Sequence, residues 1–170
     1  MFSTTLYLSR LLLDPNCPRV LTDLFSPYEM HRTLSRAFSG PLQGGRVLFR
    51  VDHDPQRQLP QVLVQSPEPP DWGFLEEANG YLADAPPGEN PRLRSLVLTL
   101  TPGQVLAFRL RAAPTFKRGR RRLAWLRRDD QLAWLRRQGL RHGFATVAVT
   151  VTPEGPLWCR KRHEGRPCAI

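Results

Sequence analysis

Apolar and polar positions follow two different periods along this chain. Thr4 to Leu13 (TTLYLSRLLL) is a strand-length apolar run that Asp14-Pro15 and Asn16 end as a turn. From Ser26 the period lengthens: Met30, Leu34, Ala37 and Phe38 recur at helical spacing, which predicts a helix from Ser26 to about Phe38, closed by Gly40, Gly44 and Gly45. Arg46 to Asp52 (RVLFRVD) and Gln61 to Gln65 (QVLVQ) read as two strands joined by a polar turn containing Asp54, Pro55 and Gln56. Asp71 to Leu82 reads as a short helix with Trp72, Leu75 and Tyr81 inward. Arg94 to Leu100 and Val105 to Arg111 read as strands on either side of the turn signal Thr101-Pro102-Gly103.

Strand, helix, strand, strand, helix, strand is the order of a ferredoxin-like unit, in the α+β class. The proline-rich stretch from Ala85 to Pro91 is the best internal break, so residues 1–90 are expected to form one such domain and residues 91–170 a second. In the second, a basic loop from Lys117 precedes a helix from about Asp129 to Gln138, with Leu132, Leu135 and Leu140 toward a core, Arg136 and Arg137 outward, and Gly139 as the stop. Ala145 to Val151 reads as a further strand and Leu157 to Ile170 as a hairpin, which leaves the second ferredoxin-like domain incomplete at its C-terminus.

Composition narrows the classes. An apolar fraction of 41% is enough for a core, and there is no apolar run long enough to span a bilayer. The stretch from Leu6 to Leu13 is interrupted by Arg10 and has no basic leader, so a secretion signal is not expected and the cytoplasm is the expected location. Three cysteines, Cys17, Cys159 and Cys168, make no even framework. Cys159, His163 and Cys168 have no evident fourth ligand, so a metal site is not expected; two cysteines meeting across a hairpin is the simpler account. No cofactor or small-molecule substrate is expected.

Charge changes the picture more than composition does. Residues 1–108 carry nine arginines against eleven acids, a balance of −2, whereas residues 109–170 carry sixteen basic residues against four acids, a balance of +12. Only Lys117 and Lys161 are lysine, and the guanidinium fork matches phosphate and stacks on bases. A polyanion such as nucleic acid suits this surface. The densest runs are Lys117-Arg118-Gly119-Arg120-Arg121-Arg122 and Arg160-Lys161-Arg162, the latter beside Trp158 and His163. The first would repel itself unless it were solvated or matched to phosphates.

The heptapeptide Ser26-Pro27-Tyr28-Glu29-Met30-His31-Arg32 holds the candidate chemistry. Ser26 can cap, Pro27 fits the first helical position, and Glu29 can reach back to the Ser26 amide. Tyr28, His31 and Arg32 then share one side of the helix, where a phenol, an imidazole and a guanidinium can converge. An imidazole gives or takes a proton near neutral pH, and an arginine neutralises a phosphate. Together they suit RNA cleavage by an adjacent 2′-hydroxyl, a reaction that needs a proton acceptor, a proton donor and charge stabilisation. From the residues alone, an ordinary surface histidine on an amphipathic helix is the commoner case, and a non-catalytic RNA binder or a DNA-binding architectural protein stays open.

Five segments in one order carry a family resemblance: TLYLSRLLLDP, SPYEMHRTLSRAF, VLVQS followed by PDW, FRLRAAPT followed by a basic stretch, and LAWLRR before GF. As a set they resemble the CasE-type CRISPR repeat endoribonucleases of type I-E systems. The resemblance implies tandem ferredoxin-like domains that bind the CRISPR repeat RNA hairpin. It also implies metal-independent cutting at the 3′ base of the stem, and retention of the guide RNA among the other subunits of Cascade. It places the catalytic histidine at His31 and its assisting tyrosine at Tyr28. RNA contacts fall on Arg32, on Arg109 and Arg111 of FRLRA, on Lys117, Arg118, Arg120, Arg121 and Arg122, on Arg136 and Arg137, and on Arg160, Lys161 and Arg162. The family pattern continues with a strand, a helix and a glycine-rich loop ending in a last strand, elements that residues 1–170 do not supply.

Overall fold

The structure is a computed structural model. It describes residues 2–43, 45–78 and 80–152, together with the backbone of 158–160 and 167–169. The described residues fall into two compact units, Met1–Val105 and Leu106–Ile170.

In the first unit, β1 (Phe2–Leu12) is followed by α1 (Pro18–Phe25), α2 (Pro27–Ser35), β2 (Leu48–Asp54), β3 (Leu59–Ser66), the short α3 (Gly73–Glu76) and β4 (Arg92–Leu100). The four strands form one antiparallel sheet in the order β2-β3-β1-β4, the arrangement of a ferredoxin-like fold. The run that opens the chain therefore becomes a central strand, with Leu11 opposite Val62 and Ser9 opposite Val64. Leu11, Val62 and Val64 bury one face of the sheet against Val20 of α1, Met30 and Leu34 of α2, and Trp72, Leu75 and Tyr81.

The boundary expected at residues 90 and 91 differs from the compact unit, which runs to Val105. The reason is β4: it lies beyond the proline-rich break yet pairs with β1 from Phe2↔Leu100 to Arg10↔Arg92. The break is itself tied down, because the Asn90 side chain accepts from Leu12 N at 2.9 Å and donates to the Leu12 and Ala83 carbonyls at 2.8 Å.

Helix α1 has no counterpart among the expected elements. Pro18 opens it and Val20 and Asp23 are buried, but its N-cap residue, Cys17, makes no side-chain cap bond, so the usual start signal is missing. The expected helix over 71–82 shrinks to Gly73–Glu76, although its three inward residues, Trp72, Leu75 and Tyr81, are all buried. Trp72 also donates from Nε1 to Ser9 Oγ at 3.0 Å.

The second unit contains β5 (Thr115–Arg118) and β6 (Arg121–Ala124) as a hairpin, then α4 (Arg128–His142) and the paired segments β7 (Trp158–Arg160) and β8 (Pro167–Ala169). The expected strands over 105–111 and 145–151 lie outside every strand; Val105, Leu106, Phe108 and Leu110 are exposed there. Alternation of apolar and polar residues sets which side of a strand is apolar, but a strand exists only where a ladder partner accepts it. Helix α4 runs past Gly139 and stops at Gly143, which adopts φ 75°. Gly139 is instead buried under the Phe144 carbonyl, where a Cβ would collide, and Leu140 is 87% exposed rather than in a core.

Candidate functional site

The first turn of α2 is built from its sequence much as expected. The Ser26 side chain accepts from Glu29 N at 3.3 Å, and Pro27 holds the first helical position. Glu29, however, does not complete the box: the Ser26 amide donates to the Asp23 carbonyl at 3.3 Å, and the Glu29 carboxylate faces two arginines. Arg32 Nη1 donates to Glu29 Oε2 at 2.8 Å, and Arg19 Nη2 lies 3.9 Å from the same oxygen. Arg19 also donates from Nη2 to Thr33 Oγ1 at 2.8 Å and pairs with buried Asp23 at 3.2 Å, clamping α1 to α2. Tyr81 donates to Asp23 Oδ2 at 2.8 Å, and its phenol is raised well above the ordinary value, first by burial and then by that carboxylate.

Arg32 thus has a partner that the expected grouping with Tyr28 and His31 did not include. Met30, Thr33 and Leu34 are buried, which turns His31 outward with Tyr28 half-buried one turn before it. Arg32 is tied to Glu29 instead of standing free beside them. What borders His31 is a shallow cleft of about 290 Å³ lined by Ser35, Phe38, Gly40, Leu42, Gly45, Arg46 and Val47. The Phe49 ring of β2 lies 6.5 Å from the imidazole at 51°. Ser35 Oγ is 3.3 Å from His31 Nδ1 and donates to the His31 carbonyl at 2.7 Å.

Among the described residues none that lines the cleft is acidic, and His31, Ser35 and Arg46 share it. Such a set can move a proton and hold a phosphate. Among the described residues, no group of three or more His, Cys, Asp or Glu is placed to hold a metal ion, and no helix is long and apolar enough to cross a membrane.

Arg46 and Ser35 were not legible as site residues. Arg46 lies in the segment between α2 and β2, in which Gln43 N donates to Glu68 Oε1 at 2.7 Å, and it lines the cleft from there. Ser35 follows His31 by four residues, the spacing that shares a helix face, and this was the available signal.

The basic residues of the second unit are arranged by the β5–β6 hairpin. Lys117 stands opposite Arg122 and Arg118 opposite Arg121, with Gly119 at φ 60° and Arg120 forming the tip. All five cations are exposed. Like charges directly opposite are unfavourable, so the hairpin carries a standing demand for anions. At its base the Phe116 and Trp125 rings stack 4.2 Å apart, which holds Trp125 against the hairpin. Arg136 and Arg137 are exposed on α4, as expected, and Arg136 borders an apolar depression with Leu132, Leu135 and Val149. Arg109 and Arg111 are exposed outside any strand. The Arg160 side chain, Lys161 and Arg162 lie outside the described residues, as does His163; the β7 and β8 backbones set Cys159 opposite Cys168.

The profile of the family described as CRISPR associated protein matches residues 6–169. The CRISPR-associated endoribonuclease Cse3 of Thermus thermophilus is 42% identical over 111 residues, 64% of this chain and 49% of that protein. The chain thus spans about half the length of this curated relative. Among solved structures, CRISPR endoribonuclease Cse3 bound to a 19-nucleotide RNA is similar with a TM-score of 0.77 and 33% identity, over 97% of this chain and 80% of that one. Thermus thermophilus Cse3 bound to an RNA representing a pre-cleavage complex gives a TM-score of 0.67 at 33% identity, over 96% of this chain and 71% of the other.

Proposed function

The chain belongs to the CRISPR-associated protein family, and on that premise we propose that it is an endoribonuclease that binds the CRISPR repeat hairpin and cuts precursor CRISPR RNA at the 3′ base of the stem. The observation that carries this reading is the likeness to RNA-bound Cse3 over 97% of the chain, with His31 exposed on an intact, capped α2. In this reading the 2′-hydroxyl next to the scissile phosphate attacks phosphorus, and the reaction ends in a 2′,3′-cyclic phosphate and a free 5′-hydroxyl. His31 and Tyr28 share the proton work. Arg46, beside His31 in the cleft, neutralises the phosphate, with Arg32 supplying charge further along α2.

The RNA duplex is held by the hairpin cations Lys117, Arg118, Arg120, Arg121 and Arg122, and Arg109, Arg111, Arg136, Arg137, Arg160, Lys161 and Arg162 make further RNA contacts. Double-stranded RNA is read through its backbone and shape, which suits many arginines on exposed elements. Catalysis runs without a metal ion in the cytoplasm, and the enzyme keeps its product as a subunit of Cascade.

The test is cleavage of a repeat hairpin by the His31→Ala variant. Loss of cutting with retained binding is expected; unchanged cutting would remove His31 from the mechanism. If the unaltered chain binds the hairpin and never cuts it, the protein is an RNA-binding member of the family.

A further inference from the structure

The contacts of Ser35 decide which nitrogen of His31 carries the hydrogen. Ser35 Oγ is 2.7 Å from the His31 carbonyl oxygen, and a carbonyl has no hydrogen to give, so the hydroxyl hydrogen is committed there. Only lone pairs of Oγ remain for the imidazole nitrogen 3.3 Å away. We infer that Ser35 is a positioning residue for His31: it accepts a hydrogen bond from Nδ1–H and holds the neutral ring in the tautomer whose Nε2 is the free proton acceptor.

Three features favour this arrangement. Ser35 is the last residue of α2, four positions after His31, so the bond back to the carbonyl one turn earlier is a regular local contact that needs no distortion. The Phe49 ring flanks the imidazole, its centroid 6.5 Å away. Among the described residues no carboxylate lines the cleft, and Ser35 is the side chain within hydrogen-bond distance of Nδ1. A hydrogen bond to one ring nitrogen sets the tautomer and with it the role of the other.

The catalytic consequence rests on the nuclease reading; the tautomer does not. In that reaction the 2′-hydroxyl proton passes to His31 Nε2, the bond from O2′ to phosphorus forms, the bond from phosphorus to O5′ breaks, and O5′ takes a proton from the Tyr28 hydroxyl, which solvent then reprotonates. His31 therefore enters as the base.

The test is ¹⁵N NMR of the full chain labelled at histidine, recorded without RNA at a pH where the ring is neutral, with His31 assigned by its disappearance in His31→Gln. Two-bond correlations separate a protonated from an unprotonated ring nitrogen. The expected result is a protonated Nδ1 and an unprotonated Nε2 in the unaltered chain and in Ser35→Thr, which keeps the hydroxyl. Ser35→Ala, which favours the helix, should move the population toward Nε2–H. Its single-turnover cleavage should slow about fivefold, the size of one ordinary hydrogen bond, with RNA affinity unchanged and the threonine variant restored. An unaltered His31 protonated on Nε2, or a tautomer that Ser35→Ala leaves in place, overturns the inference. Absence of cleavage by the unaltered chain would count against the nuclease reading alone, since the tautomer is read without substrate.

Discussion

Arg32 donates to the Glu29 carboxylate at 2.8 Å, one turn earlier in the same helix, and Glu29 is buried while Arg32 is half-exposed. A guanidinium held this way gives less of its charge to an RNA phosphate than a free one. Arg32→Ala is therefore expected to weaken repeat binding less than Arg121→Ala does, and to lower stability because the buried Glu29 carboxylate keeps only Arg19, 3.9 Å away, as a cation partner. Glu29→Gln should do the reverse for binding, since it frees Arg32, while lowering stability because Arg19 loses a partner too. Binding isotherms and denaturant unfolding of the three variants check this.

The β5–β6 hairpin makes a second prediction. Each cation that contacts phosphate contributes a nearly fixed increment to the salt dependence of binding, so Arg121→Ala should reduce the slope of log K against log salt by about one. Because Arg118 and Arg121 stand directly opposite each other, removing one should leave stability unchanged or slightly raised. Affinities measured at four salt concentrations, with a thermal melt of the same variant, test both halves.

Tyr81 links ionisation to folding. Its phenol is raised above the ordinary value in the folded chain, so the folded state holds the proton more tightly than the unfolded state. The associated stability is fully present below about pH 10, the ordinary phenol value, and is lost as pH rises from there toward the raised one. Tyr81→Phe should remove that alkaline loss. At neutral pH it should cost about 1–3 kcal/mol, because buried Asp23 loses a donor. Urea unfolding at pH 7 and pH 11 separates the two effects.

Gly139→Ala places a Cβ against the Phe144 backbone, which cannot swing aside as a flexible side chain would. A loss of about 1–3 kcal/mol is expected, as for overpacking elsewhere. Gly139 also accepts from Phe144 N at 3.0 Å, so the variant should fray the end of α4, visible as lost amide protection over residues 139–143.

Much of the first unit was legible because its signals are local and mutually consistent. The run from Thr4 to Leu13 has strand length and a turn at its end, and Ser26-Pro27 marks the start of α2 without ambiguity. The elements that escaped depend on partners. Helix α1 lacks a capping side chain, and the alternation over 105–111 and 145–151 joins no ladder among the described residues. The same division holds at the site. His31 and Tyr28 follow from helical spacing, whereas the diversion of Glu29 to Arg32 and Arg19 depends on α1 packing beside α2, and Arg46 arrives through a loop. Local sequence placed His31 and Tyr28 on α2; tertiary contacts decided that Arg46 lines the cleft beside His31 while Arg32 pairs with Glu29.

The most direct measurement is single-turnover cleavage, in EDTA, of two otherwise identical repeat hairpins, one of which carries hydrogen in place of the 2′-hydroxyl at the scissile nucleotide. The protein is expected to bind both equally, to cut the all-ribose hairpin to a 2′,3′-cyclic phosphate, and to leave the deoxy-substituted one intact. Cutting of both at comparable rates would contradict attack by the 2′-hydroxyl.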